Sequence, residues 1–439
     1  MLMPLDAQLL LALSPWRNAP VWTVAFSGGL DSTVLLHLLA GLAQREPLPP
    51  LRAIHIQHGL QAAAEAWPAH CQQVCDELGV SLLQREVQVL PGASLEQAAR
   101  DARYAAFVEV LGPDEVLLTA QHRDDQAETL LFRLLRGAGA RGLAAMPATR
   151  KLGGGQLVRP LLAVSRAQLE AYARGHGLRW VEDPSNSDER FSRNFLRRQV
   201  LPLLAQRWPQ AVASMARSAA HLSEAQDLLD ELAQVDLAAI EQESRFAGLP
   251  LPSLALAPLL RLSAARQRNL VRYWLAPLTP LPDSDHWAGW DSLATAAVDA
   301  APIWRLAGGE LHRADGRLWW LSGVYLQALP SIALSLPADK PLSLPGNGHV
   351  CLRGPAPSGA LQVRYRQGGE QLHLPQRGRR DLKRLLNEAG VPGFLRSRWP
   401  LLYQGEQLLA VANLPQLSVA APETWQFVWQ LPTNDQHLS

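Results

Sequence analysis

Short apolar runs alternate with amphipathic stretches along the first half of the chain, a pattern that predicts a parallel sheet with helices on its faces. The runs Val21–Phe26, Leu51–Gln57, Leu82–Val89, Glu115–Ala120 and Gln156–Leu162 mark five strands, the last the least regular. Between them, Thr33–Ala43 and Ala64–Leu78 carry apolar residues at helical spacing. A doubly wound α/β sheet fits this order.

Beyond Leu201 the period changes. Leu222, Leu228, Leu229 and Leu232 recur at helical spacing and predict a long connecting helix to about Glu243. A mainly helical module is expected over about 247–320, with a helix at Arg261–Trp274 and tryptophans between Trp287 and Trp320 that serve a core better than an RNA-stacking surface. Prolines 330, 337, 341, 345, 355 and 357 punctuate 328–360, which reads as short edge strands or a linker. A compact pattern then returns: a strand at Gln362–Arg366, a helix at Asp381–Ala389 stopped by Gly390 and Pro392, and strands near Leu401–Tyr403 and Gln407–Val411. These expectations divide the chain into 1–215 (α/β), 216–325 (helical), 326–361 (linker or edge strands) and 362–439 (small basic α+β domain).

With 439 residues, several cores are expected. No apolar run reaches the roughly 18 residues of a membrane span, and Met1–Leu13 lacks the basic start and cleavage site of a signal peptide, so it reads as a first helix. Cys71, Cys75 and Cys351 form no C-x-x-C pair, which argues against a disulfide framework or a metal cluster and for a reducing, cytoplasmic setting. The net charge of +1 conceals an asymmetry: 361–400 hold nine Arg or Lys against three Asp or Glu.

Candidate chemistry begins at Ser27-Gly28-Gly29-Leu30-Asp31-Ser32, between an apolar strand and a helical run. Such a turn presents backbone N–H groups and the positive end of a helix dipole, and its glycines admit an anion closely. Ser27 and Ser32 add hydroxyls, while a carboxylate at Asp31 beside phosphates calls for a bridging cation such as magnesium. The plainer alternative is an N-capped helix after a glycine turn. Five fixed positions of about 7% frequency each recur by chance less than about once in a thousand such chains, which favours the nucleotide site.

A second constellation, His122-Arg123-Asp124-Asp125-Gln126-Ala127-Glu128-Thr129, follows a strand and opens a helix. Its spacing puts Asp125, Glu128 and Thr129 on one face, at the carboxyl end of the sheet where ligands bind. An N-cap at Asp125 with Glu128 as its capping-box partner explains the spacing equally well. Further on, Asp183-Pro184-Ser185-Asn186 is a turn, and Arg193, Arg197 and Arg198 lie on a following helix.

The first motif lacks a Walker A ending and resembles the PP-loop of the N-type ATP pyrophosphatases. The second resembles the His-x-x-Asp-Asp-Gln-x-Glu-Thr motif of tRNA-lysidine synthetases and related tRNA thiolation enzymes. The segment Asp183–Asn186 with Phe191, Arg193, Asn194, Arg197 and Arg198 is similar to the lysidine synthetases specifically. So is the tail, through Gly368-Gly369-Glu370, Gly378-Arg379-Arg380, Leu382–Leu386, Gly390-Val391-Pro392 and Pro400-Leu401-Leu402. Arg100, Arg103 and Tyr104 resemble that family's Arg-x-x-Arg-Tyr helix.

The resemblance implies ATP-dependent joining of L-lysine to C2 of the wobble cytidine in an isoleucine tRNA with a CAU anticodon. It implies that residues 27–32 bind ATP, that Asp31 holds Mg2+, and that Arg100, Arg103, Arg193, Asn194 and Arg197 contact ATP or tRNA. His122, Asp125 and Glu128 are expected to serve catalysis or lysine binding, and Arg377, Arg379, Arg380, Lys383 and Arg384 to hold tRNA. Two rivals stand beside it: another PP-loop enzyme, either a thiolase or a small-molecule ligase, and a non-catalytic nucleotide- and RNA-binding protein. The oligomeric state is left open, a homodimer included.

Overall fold

The computed structural model describes residues 3–57, 66–88, 95–240, 249, 251–281, 287–297, 300–330, 333–375, 377–420 and 424–432. The parts of expected elements that run through Ala64, Val89, Glu243, 247–248 and 298–299 lie outside this set. The chain forms two compact units whose boundary falls between Leu228 and Leu229.

In the first unit, α1 (Leu5–Leu13) precedes a sheet built from β1 (Trp22–Ala25), β2 (Leu51–Gln57), β3 (Ser81–Glu86), β4 (Val116–Leu118), β5 (Thr149–Leu152) and β6 (Gly155–Val158). Its helices are α2 (Leu30–Ala43), α3 (Trp67–Leu78), α4 (Leu95–Val110), α5 (Arg123–Leu134), α6 (Ala140–Leu143), α7 (Arg166–Gly175), α8 (Ser192–Phe195) and α9 (Leu201–Arg207). A π-helical turn, Leu196–Val200, joins the last two. The strand order is β3-β2-β1-β4-β6-β5, parallel throughout except for β5. Trp22 of β1 pairs with Leu51 on one side and Val116 on the other, so the strand order switches direction between β1 and β4. The loops leaving these two strands therefore diverge above the sheet and open a crevice.

Both faces are covered. Trp22, Val24, Phe26 and Leu39 pack with Leu9, Cys71 and Leu169 on one face, and Ile54, Leu117 and Leu157 pack with Phe107 on the other. Each leucine so enclosed contributes about 1.5–3 kcal/mol. The five expected strands are present. The antiparallel edge strand β5 is an addition: its residues Thr149, Arg150 and Lys151 are exposed, so no apolar run announced it.

The helix α10 (Ala211–Ile240) runs up to and past the boundary. The second unit contains β7 (Ser253–Ala255), α11 (Leu256–Leu260), α12 (Ala264–Leu275), α13 (Ala288–Thr295), β8 (Ile303–Leu306), β9 (Gly309–Ala314) and β10 (Arg317–Ser322). The expected helices are accompanied by an antiparallel sheet, β7-β10-β9-β8, that periodicity did not reveal. Its strand β10 is buried on both faces through Leu318–Leu321, which removes the alternation that signals a strand. Trp287, Trp290, Trp304 and Trp320 share one core, and Trp319 lies in another.

The proline-punctuated stretch supplies β11 (Leu334–Ser335), β12 (Leu342–Ser343) and β13 (His349–Arg353). With β14 (Leu361–Arg364), β15 (Gln371–Leu374), β16 (Gly378–Asp381), α14 (Leu382–Glu388), β17 (Leu401–Gln404), β18 (Gln407–Val411) and β19 (Gln426–Gln430) they complete the chain. β11 and β12 take the edges of two small sheets, β11-β14-β17-β18 and β12-β13-β19. Among the described residues no helix is long and apolar enough to cross a membrane.

Candidate active site

The chain leaves β1 through Phe26, whose N–H bonds Ile54 O at 2.8 Å, and turns through Ser27–Gly29 into α2. Gly28 has φ +80°, and a Cβ there would stand 2.9 Å from the buried Cys71 Sγ, so only glycine fits. The turn braces itself: Ser27 Oγ and Ser32 Oγ are 3.0 Å apart, Ser32 Oγ donates to Gly29 O at 3.0 Å, and Val181 N donates to Gly28 O at 2.9 Å. The first turn of α2 thus faces the crevice as an anion cradle.

Asp31 stands in that first turn. One carboxylate oxygen lies 3.6 Å from His122 Nε2, and the other, Oδ1, is buried with no hydrogen-bond partner. An orphaned carboxylate oxygen beside an anion cradle suits a divalent cation shared with phosphate oxygens. No group of three or more His, Cys, Asp or Glu side chains is arranged for a metal among the described residues, so the nucleotide itself would supply the other ligands.

The loop after β4 brings up the second constellation in a register different from the capping alternative. His122 is the N-cap of α5 and accepts no help from Glu128; Asp125 takes the third position and accepts His122 N–H at 3.0 Å. His122 is 1% exposed. Burial lowers its pKa, but the Asp31, Asp125 and Asp124 carboxylates around it prevail and raise it above the ordinary value. Glu128 is buried too, and Arg197 grips it from 69 residues away, Nε to Oε1 at 2.6 Å and Nη2 to Oε2 at 2.9 Å. The same Nη2 reaches Asp125 Oδ1 at 3.1 Å. Burial pushes the Glu128 carboxyl up against the pull of Arg197, and the paired carboxylates outweigh burial to hold the guanidinium protonated.

Arg197 arrives on a segment with its own scaffold. Asp183 accepts Ser185 N–H at 2.8 Å, and Asn194 Nδ2 bonds Ser185 O and Asp188 O, both at 2.8 Å. Asn194 therefore fixes the turn. Arg193 reaches Thr129 Oγ1 at 3.4 Å.

A third wall comes from α4, backed by the β5–β6 hairpin and Arg159. Tyr104 is flanked by the guanidinium carbons of Arg100 and Arg150, 5.0 and 4.6 Å from its ring centre. Burial raises the Tyr104 phenol, but Arg100, Arg159 and Arg150 outweigh it and lower the net value. Burial likewise lowers the guanidinium pKa of Arg103 and Arg159. Among the described residues none of these arginines forms an ion pair with a carboxylate, so the wall carries uncompensated positive charge. Arg150 and Arg159 escaped the sequence reading because nothing in their spacing links them to Tyr104.

These walls enclose a cleft of about 860 Å³, within the span of roughly 300–1,000 Å³ usual for small-molecule sites. Ser27, Gly29, Leu30, Asp31, Ser32, Arg100, Arg103, Asp125, Arg193 and Arg197 all line it, joined by Arg198. Gly28, His122, Glu128 and Asn194 lie behind this lining. Arg377, Arg379, Arg380, Lys383 and Arg384 belong to the second unit and are exposed. Arg377 and Arg384 pair with Glu388 at 2.7 and 3.1 Å, while Arg379, Arg380 and Lys383 form no ion pair among the described residues.

Three family models match successive stretches of the chain. Residues 3–204 match the PP-loop domain, 254–319 the TilS substrate binding domain and 361–429 the TilS substrate C-terminal domain. The tRNA(Ile)-lysidine synthase of Pseudomonas syringae pv. tomato is 65% identical over 435 residues, covering 99% of this chain and 98% of that one. Its counterpart in Pseudomonas aeruginosa is 64% identical over 439 residues, covering 99% of each. The enzyme of the same name from Escherichia coli O157:H7 is 45% identical over 421 residues, covering 93% of this chain and 96% of its own. On this likeness, which runs through the cleft and the basic tail alike, the chain belongs to the tRNA(Ile)-lysidine synthase family.

Proposed function

We propose that this enzyme joins the ε-amine of L-lysine to C2 of the wobble cytidine in an isoleucine tRNA with a CAU anticodon, consuming ATP. The observation that carries the reading is the union of phosphate loop, Asp125 and Arg193-Arg197-Arg198 around one cleft. A small-molecule ligase has no use for the arginines at 193 and 198 or for the basic tail, and a passive RNA binder has no use for the Asp31–His122–Asp125 array.

The chemistry divides into two displacements. The cytosine O2 attacks the α-phosphorus, and the α–β phosphoanhydride bond breaks to release pyrophosphate. The lysine amine then attacks C2, the C2–O bond breaks, and AMP leaves with that oxygen while the nitrogen loses a proton. Residues 27–32 cradle the phosphates through backbone N–H groups and the Ser27 and Ser32 hydroxyls, with charge developing on pyrophosphate stabilised by the α2 dipole. Mg2+, held by Asp31 and phosphate oxygens, would neutralise that charge further. Arg100 and Arg103 meet ATP or tRNA phosphates from the opposite wall. Asp125 attracts the lysine ammonium and accepts the proton it must shed before attack. Glu128 positions rather than catalyses: it anchors Arg197, which orients Asp125. His122 couples Asp31 to Asp125 and keeps both carboxylates aimed at the cleft.

We assign residues 1–215 to catalysis, 216–325 to substrate binding and 362–439 to tRNA docking, with Arg379, Arg380 and Lys383 meeting its phosphates, aided by Arg377 and Arg384. The three free cysteines suit a cytoplasmic enzyme. Incubation with ATP, labelled lysine and CAU-anticodon tRNA, followed by nuclease digestion, tests the reading. Label recovered on the wobble nucleoside supports it, and label absent from RNA overturns it.

A further inference from the structure

The segment that delivers Arg197 turns Leu196 and several polar side chains inward and two aromatic rings outward. Arg193, Asn194 and Arg197 point inward to Thr129, the Asp183–Asp188 turn and Glu128. Phe191 and Phe195, by contrast, face solvent at 40% and 47% exposure. An amphipathic helix normally buries its aromatic rings and hydrates its arginines, so the exposed pair has a use outside the core. Phe195 N bonds Phe191 O at 3.1 Å, so the two residues stand four positions apart at the start of the helix. Arg198 follows three residues on, 48% exposed and on the rim of the cleft, held by Glu189 at 3.5 Å.

We infer that Phe191 and Phe195 form a stacking platform for the unpaired anticodon bases next to the wobble cytidine, with Arg198 beside it for the backbone phosphates. This rests on the proposed tRNA reaction. To bring its cytosine into the cleft, the loop must splay neighbouring bases across the rim, and single-stranded RNA is held by base stacking on aromatic rings interleaved with arginine. A phenyl ring supplies stacking without reading hydrogen bonds, so the platform contributes affinity and orientation. Specificity for the cytosine remains inside the cleft. Continuity with the cleft and the positive charge of Arg193 and Arg198 favour RNA over a second copy of the chain as the occupant.

The test uses the full-length enzyme and an anticodon stem-loop RNA in which 2-aminopurine replaces the adenine of CAU, along with unmodified tRNA. Wild-type enzyme should quench the 2-aminopurine emission on binding. Phe191→Ala with Phe195→Ala should abolish the quench and raise the tRNA KM at least about tenfold, with ATP KM and thermal midpoint unchanged. Phe195→Tyr should restore most of both. An equal quench and an equal tRNA KM in the double alanine variant would overturn the platform while leaving lysine transfer by the wild type intact. If the wild type itself transfers no lysine to tRNA, the underlying reading fails and takes the platform with it. Loss of self-association in sedimentation with unchanged RNA binding would also overturn the platform, reassigning the face to a second copy.

Discussion

Arg197 holds Glu128 along one edge of its guanidinium, through Nε at 2.6 Å and Nη2 at 2.9 Å, and extends the same Nη2 to Asp125 at 3.1 Å. Of the two carboxylates one turn apart on α5, Glu128 is thereby committed inside the protein while Asp125 lines the cleft.

That asymmetry separates their variants. Glu128→Gln leaves Arg197 against a neutral group in a buried place and should cost about 1–3 kcal/mol of stability, lowering the thermal midpoint and kcat together. Asp125→Asn should leave the midpoint nearer wild type and raise the lysine KM. A Glu128→Gln enzyme with wild-type midpoint and a selectively raised lysine KM would show that Glu128 meets the substrate instead.

Asp31→Asn should reduce turnover about 100-fold or more, the usual cost of removing one stabilising electrostatic partner, with the fold intact. The Mg2+ concentration needed for half-maximal ATP binding should rise as well. Near-normal turnover would remove Asp31 from the metal site.

His122 makes stability depend on pH. Its folded pKa is raised by Asp31, Asp125 and Asp124 despite burial, so the folded state binds a proton more tightly than the unfolded chain. The resulting stabilisation is complete below about pH 6.5, the ordinary histidine value, and fades as pH rises through the folded pKa. Measured in EDTA without nucleotide, the gap in thermal midpoint between wild type and His122→Gln should be widest at acid pH and narrow above neutrality. A gap independent of pH would mean that the variant disturbs packing alone.

Much of this site was legible from local chemistry. The strand, glycine turn and helix around Ser27–Ser32 announce themselves through residues adjacent in sequence, as does the helix opened at His122. The grip of Arg197 on Glu128 spans 69 residues and was invisible, because no periodicity encodes which cation meets which carboxylate. The helix register shows the same limit. A capping box fits His122 with Asp125 as well as Asp125 with Glu128, and only tertiary burial decides. In the second unit, β10 is enclosed on both sides, so its apolar run Leu318–Leu321 carries no strand alternation.

The tail offers an electrostatic prediction. Arg379→Glu with Arg380→Glu should raise the tRNA KM and flatten its dependence on salt, by roughly 0.7–0.9 in the log–log slope for each phosphate no longer neutralised. ATP KM should not move. An unchanged salt slope would mean that these exposed arginines are merely solvated.

The most direct test of the whole account is a stoichiometric one. Purified enzyme is given ATP labelled in the adenine, labelled lysine and CAU-anticodon isoleucine tRNA, and AMP release is counted against lysine entering RNA. The account predicts one AMP for each lysine transferred, with no transfer when either ATP or the wobble cytidine is removed. Lysine transfer without AMP release, or steady AMP release with no lysine in the RNA, would contradict it.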